Sequence, residues 1–305
     1  IKAFKGKCFD GTFETLRDDI RGLLCCTNGV LEFTNDGARL RPGKQEDWLT
    51  LTTGIDYIPH DEGNDAHQEA VRKILKIYEQ IHPFEPLRIY SFYWLAWALT
   101  GRTAEYPAFV MRIGDGRNGK SLEQLLLRQA LGEYYVTPPR TLLMGGKEVS
   151  ANVPRPELLA LKGKRVAAFS ETDEGTQLNI GEMKRLSSGE QLSARTLYSG
   201  NMVRFSVQCQ ANLISNFPPR IDSLDGGTWR RLVWIPYNSR FTENPIKDNE
   251  YPIDPSLLHS CETDPVMHRA FLSILVHYYN EMCRLKVKLN TITPECSKEK
   301  LIRLM

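Results

Sequence analysis

Gly114-Asp115-Gly116-Arg117-Asn118-Gly119-Lys120-Ser121 has the spacing Gly-x-x-x-x-Gly-Lys-Ser, a set of residue types suited to holding phosphate. The glycines let the backbone curl round phosphate oxygens, and N–H groups at a helix start supply donors. Lys120 can reach the β- and γ-phosphates, and the Ser121 hydroxyl can bind Mg²⁺. The flanks agree with that chemistry. Phe109 to Ile113 is a short apolar run with strand character, and Leu122 to Leu131 is leucine-rich at helical spacing. A glycine turn that happens to carry Lys-Ser is the plainer alternative, but the strand before it and the helix after it favour a nucleoside-triphosphate site.

A magnesium-nucleotide site also needs carboxylates from a second strand, one to hold metal-bound water and another to polarise the attacking water. Lys164 to Phe169 leads into Ser170-Glu171-Thr172-Asp173-Glu174, an apolar strand ending in acids, with Glu171 and Asp173 as the candidates. Alone it reads as an exposed acidic turn; beside a phosphate loop the catalytic reading gains. Gly181 to Ser188 then has helical character and carries Lys184 and Arg185. Leu192 to Leu197 and Met202 to Val207 are β-capable runs around the turn Ser199-Gly200-Asn201. They predict a hairpin flanked by Lys184, Arg185, Arg195 and Arg204. Ala211 onward is a third strand with Asn216 at its end, and Arg230-Arg231 precede a strand from Val233 to Pro236. By sequence alone the arginine pair reads slightly better as a basic strand edge. The alternation predicts an α/β fold with a central, largely parallel sheet.

The elements that must position these residues are bounded by composition. A chain of 305 residues exceeds one ordinary core, so a main domain with smaller flanking domains is expected. Hydrophobic residues at 41% and charged residues at 25% describe a soluble globular protein, and the richest apolar run, Tyr90 to Leu99, is too short to span a membrane. A net charge of +2 means that any basic surface is local. Seven cysteines without Cys-x-x-Cys spacing and six scattered histidines give neither a disulfide framework nor a metal pattern, and point to reduced thiols in an intracellular compartment. The chain opens at Ile1 with no signal peptide and stops within a helix-like segment at Leu304-Met305, as a piece of a longer protein would.

Residues 1–60 are expected to form a small α+β unit, with turns at Asn28-Gly29 and Thr34 to Gly37 and strand-like alternation from Leu49 to Ile58. Pro59 to Asp65 is a polar linker. Residues 61–104 form a helical collar, with Val71, Ile74, Leu75, Tyr78 and Ile81 at helical spacing and an aromatic-rich helix from Leu87 to Thr100. Its Tyr90, Phe92, Tyr93, Trp94 and Trp97 could stack on bases, but a helix this apolar is far more often buried. The core spans 105–242, followed by a C-terminal stretch, 243–305. Pro245 to Pro255 is expected to be a loop, and Asp264-Pro265 to open a helix with Phe271, Ile274, Leu275, Tyr278 and Met282 on one stripe, suited to ring-end packing or a lid.

The set resembles superfamily 3 helicases, which are ring-forming AAA+ motors, and most closely the poxvirus-type primase-helicases of large DNA viruses and the related satellite-phage primase-helicase. GDGRNGKS is similar to that family's phosphate loop. FSETDEG followed by LNIGEMKRLSSGEQLSARTLY is similar to its metal-binding strand and the segment leading into the DNA-contacting hairpin. LISNFPPRID followed by GGTWRRLVWIPY is similar to its sensor asparagine and arginine-finger segment, and CTNGVLEF with GIDYIP to the small domain ahead of the helicase. One departure is that Thr172 separates Glu171 from Asp173 where the family has adjacent acids.

The resemblance implies an AAA+ P-loop fold with ATP and Mg²⁺ as cofactors, held by Gly114 to Ser121. Ser121 and Glu171 would hold the metal, Glu171 with Asp173 would activate water, and Asn216 would sense the γ-phosphate. Arg230 or Arg231 would reach a neighbouring subunit's nucleotide. Lys184, Arg185, Arg195, Tyr198 and Asn201 would contact single-stranded or fork DNA in a homo-hexamer, with a primase domain upstream and viral replication sites in the host cell as the setting. A P-loop small-molecule kinase and a nucleotide-gated ring scaffold remain the competing readings.

Overall fold

The computed structural model describes residues 16–144, 155–170, 174–195, 202–223 and 225–304. The turns at Asn28-Gly29 and Asp36-Gly37 fold β1 (Leu23–Cys26), β2 (Gly29–Thr34) and β3 (Gly37–Arg41) into an antiparallel meander. The alternating stretch from residue 49 to 58 forms no strand. It is laid against β1 by single bonds, Thr53 N to Cys25 O at 2.9 Å and Thr27 N to Ile55 O at 3.0 Å, and Gly54 at φ 73° turns the chain before a ladder can form.

Two helices follow. α1 (Asp65–Ile81) is capped by the Asn64 side chain, which accepts from His67 N, and buries Val71, Ile74, Tyr78 and Ile81 as the spacing predicts. α2 (Glu85–Ala98) starts with proline in its first turn and buries Tyr90, Phe92, Tyr93 and Trp94. Phe92 stacks between Tyr78 and Tyr278, with ring centroids 4.3 Å and 4.4 Å away, so these aromatics are core.

The next elements are β4 (Phe109–Ile113), α3 (Lys120–Leu131), β5 (Tyr135–Val136), α4 (Pro156–Leu159), β6 (Val166–Ser170) and α5 (Ile180–Ser187). After them come β7 (Gln191–Arg195), β8 (Met202–Ser206), β9 (Gln210–Ser215), α6 (Gly226–Trp229) and β10 (Leu232–Pro236). The central sheet has the order β10-β4-β9-β6-β5, and every neighbouring pair is parallel. β4 and β10 are buried at every residue, as strands covered on both faces must be, while β7 and β8 pair antiparallel in the expected hairpin. The α/β class with a parallel sheet is therefore the observed one.

The C-terminal stretch departs from expectation twice. Within the expected loop, β12 (Glu250–Pro252) pairs in parallel with β11 (Arg240–Thr242). After α7 (Pro255–Thr263), α8 (Pro265–Leu285) buries more than the single expected stripe. It packs on α1, α2, α3 and β3, and Phe271, Leu272, Ser273, Ile274, Leu275 and Val276 are all buried, because the run is apolar on more than one face. Tyr279 OH donates to Thr34 O and Ala38 N donates to Asn280 Oδ1, fastening this helix to the N-terminal meander. The chain closes with α9 (Glu295–Leu304). One apolar cluster draws on the meander, α1, α2, α3, α8 and one face of the sheet, and a second covers the other face.

The six described cysteines are free, and burial pushes the Cys26 and Cys209 thiols up to about 12. Among the described residues, no helix is long and apolar enough to cross a membrane, and no group of three or more His, Cys, Asp or Glu could hold a metal ion.

Leu275 is fully buried in α8, so Leu275→Ala should lower unfolding free energy by about 2–5 kcal/mol in a urea titration. A loss below about 1 kcal/mol would place the helix outside the core.

Candidate nucleotide site

Because the strands are parallel and in register, Ile113 pairs with Ser215 and Ser170 with Ile214, so β4, β9 and β6 end side by side on one edge. The phosphate loop leaves β4 there, Asn216 follows β9, and the chain leaves β6 toward residues 171–173. Glu171 and Asp173 themselves lie outside the described residues. Lys120 opens α3 with its side chain folded back over the loop. Its Nζ donates to Gly114 O, to Asp115 O and Asn118 Oδ1 at 3.1 Å each, and to Asn216 Oδ1 at 3.2 Å. The two residues chosen from motifs far apart in sequence are thus in contact. Burial lowers the Lys120 ammonium to about 8.

The loop is braced from behind. Asn118 is buried, and its Nδ2 donates to Asp115 O and to Tyr237 O. A Cβ at Gly114 would overlap Tyr237 O, and at Gly119, where φ is 90°, it would come within 2.6 Å of Ile81. At Gly116 it would meet nothing. Phe241 N donates to Arg117 O at 2.7 Å, tying β11 to the loop. Two clefts flank the loop. One of about 430 Å³ is lined by Lys120, the exposed Ser121, Ser170 and the exposed Asn216; a larger one of about 1010 Å³ is bounded by Gly114 to Arg117, Asn216, Arg240 and Lys247. Exposed Ser121 beside the end of β6 suits a hydroxyl ligand to a nucleotide-bound magnesium.

The arginines stand elsewhere. Arg230 and Arg231 precede β10, at the edge where the parallel strands begin, and β10's five residues at about 3.3 Å each separate them from the loop edge by about 16 Å. Arg231 NH1 donates to Gly227 O at 2.6 Å and the side chain is half-buried, whereas Arg230 is exposed. Asp225 caps α6, accepting from Gly227 N and Thr228 N.

Of the residues expected at DNA, Lys184 on α5 is paired with Asp225 and Arg185 with Glu182 at 3.6 Å. Lys184 and the cap of the arginine-bearing segment therefore hold each other, and the Asp225 carboxyl is drawn well below its usual range, chiefly by Lys184. Arg195 ends β7 opposite Met202, and Tyr198 and Asn201 lie outside the described residues. Arg204 on β8 is exposed.

Sequence reasoning missed three residues beneath the loop. Arg112 on β4 is fully buried with its NH1 2.8 Å from Glu123 of α3, also fully buried, and Tyr237 OH donates to the same carboxylate at 2.7 Å. A signal was available: one arginine within the apolar run of β4 demands a buried partner.

The D5 N-terminal-like family matches residues 3–82. A mimivirus (Acanthamoeba polyphaga mimivirus) protein named as a helicase, L207/L206, is 30% identical over 92% of this chain. An African swine fever virus protein named as a primase, C962R, is 29% identical over 85% of this chain. The chain spans 29% and 27% of the length of these relatives. The NrS-1 C-terminal region in its apo form is 14% identical and shares the fold at a TM-score of 0.50, over 93% of this chain and 72% of that one.

The contrast between loop glycines gives a direct check. Gly114→Ala should weaken binding of a fluorescent ATP analogue at least about tenfold, since Tyr237 O blocks the methyl group and the loop must move, while Gly116→Ala should bind as the parent does. Equal affinities for the two variants would mean that the loop does not grip phosphate in this shape.

Proposed function

We propose that the chain is a superfamily 3 domain of the viral primase-helicase kind and serves as the ATP-driven motor of a viral replication helicase, acting on single-stranded or fork DNA in the infected host cell. The observation that carries the reading is the contact between Lys120 and Asn216 on the edge where the parallel strands end, with the arginines on the edge where they begin.

Bound Mg-ATP would supply the phosphoryl group whose transfer to water drives the motor. Lys120 and the N–H groups of Gly114 to Ser121 would hold the phosphates, with Ser121 and Glu171 at the metal and Glu171 with Asp173 activating the attacking water. Asn216, already a partner of Lys120, would report the γ-phosphate. An arginine a full strand length away from its own loop would serve a site on another copy, so the reading takes a ring, here a homo-hexamer. Arg230 is the finger and Arg231 a brace for α6, because only the first is exposed while the second is bonded to Gly227 O. The β7–β8 hairpin, with Arg195, Tyr198, Asn201 and exposed Arg204, would grip the DNA backbone, supported by Lys184 and Arg185 of α5. Residues 1–60 and 61–104 would serve as the small domain and collar ahead of a motor at 105–242. A primase region upstream accords with a relative named as a primase, of which this chain spans 27%.

Adding single-stranded DNA should raise ATP turnover, and Lys120→Ala should abolish it while leaving the fold intact. Turnover indifferent to DNA would favour the small-molecule kinase or the ring scaffold, and turnover retained in Lys120→Ala would remove the site.

Arg230→Ala protein should bind ATP yet hydrolyse it slowly, by about a thousandfold less, and recover part of its rate when mixed with Lys120→Ala protein, because hybrid rings contain some complete interfaces. Recovery by Arg231→Ala instead, with none by Arg230→Ala, would exchange the two roles.

A further inference from the structure

Arg112 is the one charged residue in β4, and it is fully buried. Its NH1 lies 2.8 Å from Glu123 Oε1 and donates to Tyr237 OH and Ser91 Oγ at 3.1 Å each; its Nε donates to Asn212 Oδ1 at 3.3 Å. Glu123 stands almost one helical turn beyond Lys120 on α3. Tyr237, directly after β10, completes the arrangement. Its hydroxyl donates to Glu123, its N donates to Ile113 O at 2.8 Å, and its O abuts Gly114 and accepts from Asn118. β4, α3, β9, β10 and α2 therefore meet at one ion pair directly under the phosphate loop.

Taking two charges out of water is costly, and apolar side chains of the same volume usually hold a core as well or better. What such a pair supplies and an apolar one cannot is direction, since the planar guanidinium accepts its partners only along fixed N–H vectors. We propose that Arg112, Glu123 and Tyr237 are positioning residues for phosphate binding. The pair fixes the rotation and height of α3 relative to β4, and Tyr237 carries that setting to Gly114 and Asn118, so Lys120 and the loop amides point at one anion position. The inference rests on the nucleotide site proposed above.

Two variants test it. Tyr237→Phe keeps the ring and removes only the hydroxyl that bridges Arg112 and Glu123. Arg112→Met combined with Glu123→Leu replaces the pair with apolar groups of similar size. Both should melt within a few degrees of the parent. Amides of residues 114–121, followed by hydrogen exchange without nucleotide, should exchange faster, and kcat for ATP hydrolysis should fall about tenfold or more with a smaller change in KM. Parent-like exchange and parent-like kcat in a folded variant would overturn the proposal, since the loop would then keep its setting without the pair or the bridging hydroxyl. Should the double variant not fold, Tyr237→Phe decides alone. A parent chain without ATP hydrolysis would sink the proposed motor, while the exchange comparison would still judge whether these residues set the loop.

Discussion

Five parallel strands leave the chain no choice about where its loops go. Each strand ends on the same edge, so whatever follows β4, β6 and β9 converges, and whatever precedes β9 and β10 is carried to the far edge. The phosphate loop and Asn216 come together on the first edge, and the hairpin β7–β8 and the arginine segment collect on the second. Both faces of the sheet must then be covered, which accounts for the complete burial of β4 and β10 and for the two apolar clusters on either side.

A phosphate-binding loop has to be open on the side that meets its ligand, so its rigidity has to come from the other side. Here Tyr237 O fills the space over Gly114, Ile81 crowds Gly119, and Phe241 N takes up Arg117 O. None of these three belongs to the loop or its helix. The lysine, meanwhile, directs its donors to loop carbonyls and two asparagine side chains in a poorly hydrated place, and that burial lowers its ammonium pKa to about 8.

The local parts of this structure could be read from the residues. A strand-loop-helix with its glycines, the β7–β8 hairpin, the apolar stripe of α1 and an aromatic α2 each follow from the spacing of residues close together in the chain. Non-local decisions could not. The stretch from 49 to 58 alternates like a strand, yet it meets β1 on one side and Glu133 on another at isolated points. β12 exists because β11 lies beside it, and nothing in Glu250–Pro252 announces a partner ten residues back. Arg230 and Arg231 are indistinguishable as letters; the carbonyl of Gly227 separates them. Arg112 is the intermediate case: its own sequence context shows that it must be paired, while Glu123 can be named as the partner only once β4 and α3 are packed.

The position of α8 bears on how force would travel through such a subunit. A helix that follows the central sheet in sequence is clamped in space to the meander and helices that come before it, through Tyr279 and Thr34, Asn280 and Ala38, and Tyr93 and Glu281, and it also lies along α3 behind the phosphate loop. Segments before and after the parallel sheet are thus stitched together across it, like a strap around a load. In the proposed motor, a subunit bound in this way would have little internal slack: a displacement begun at the loop would pass to residues 61–104 as movement of the whole body, and bending would fall to the seams between copies.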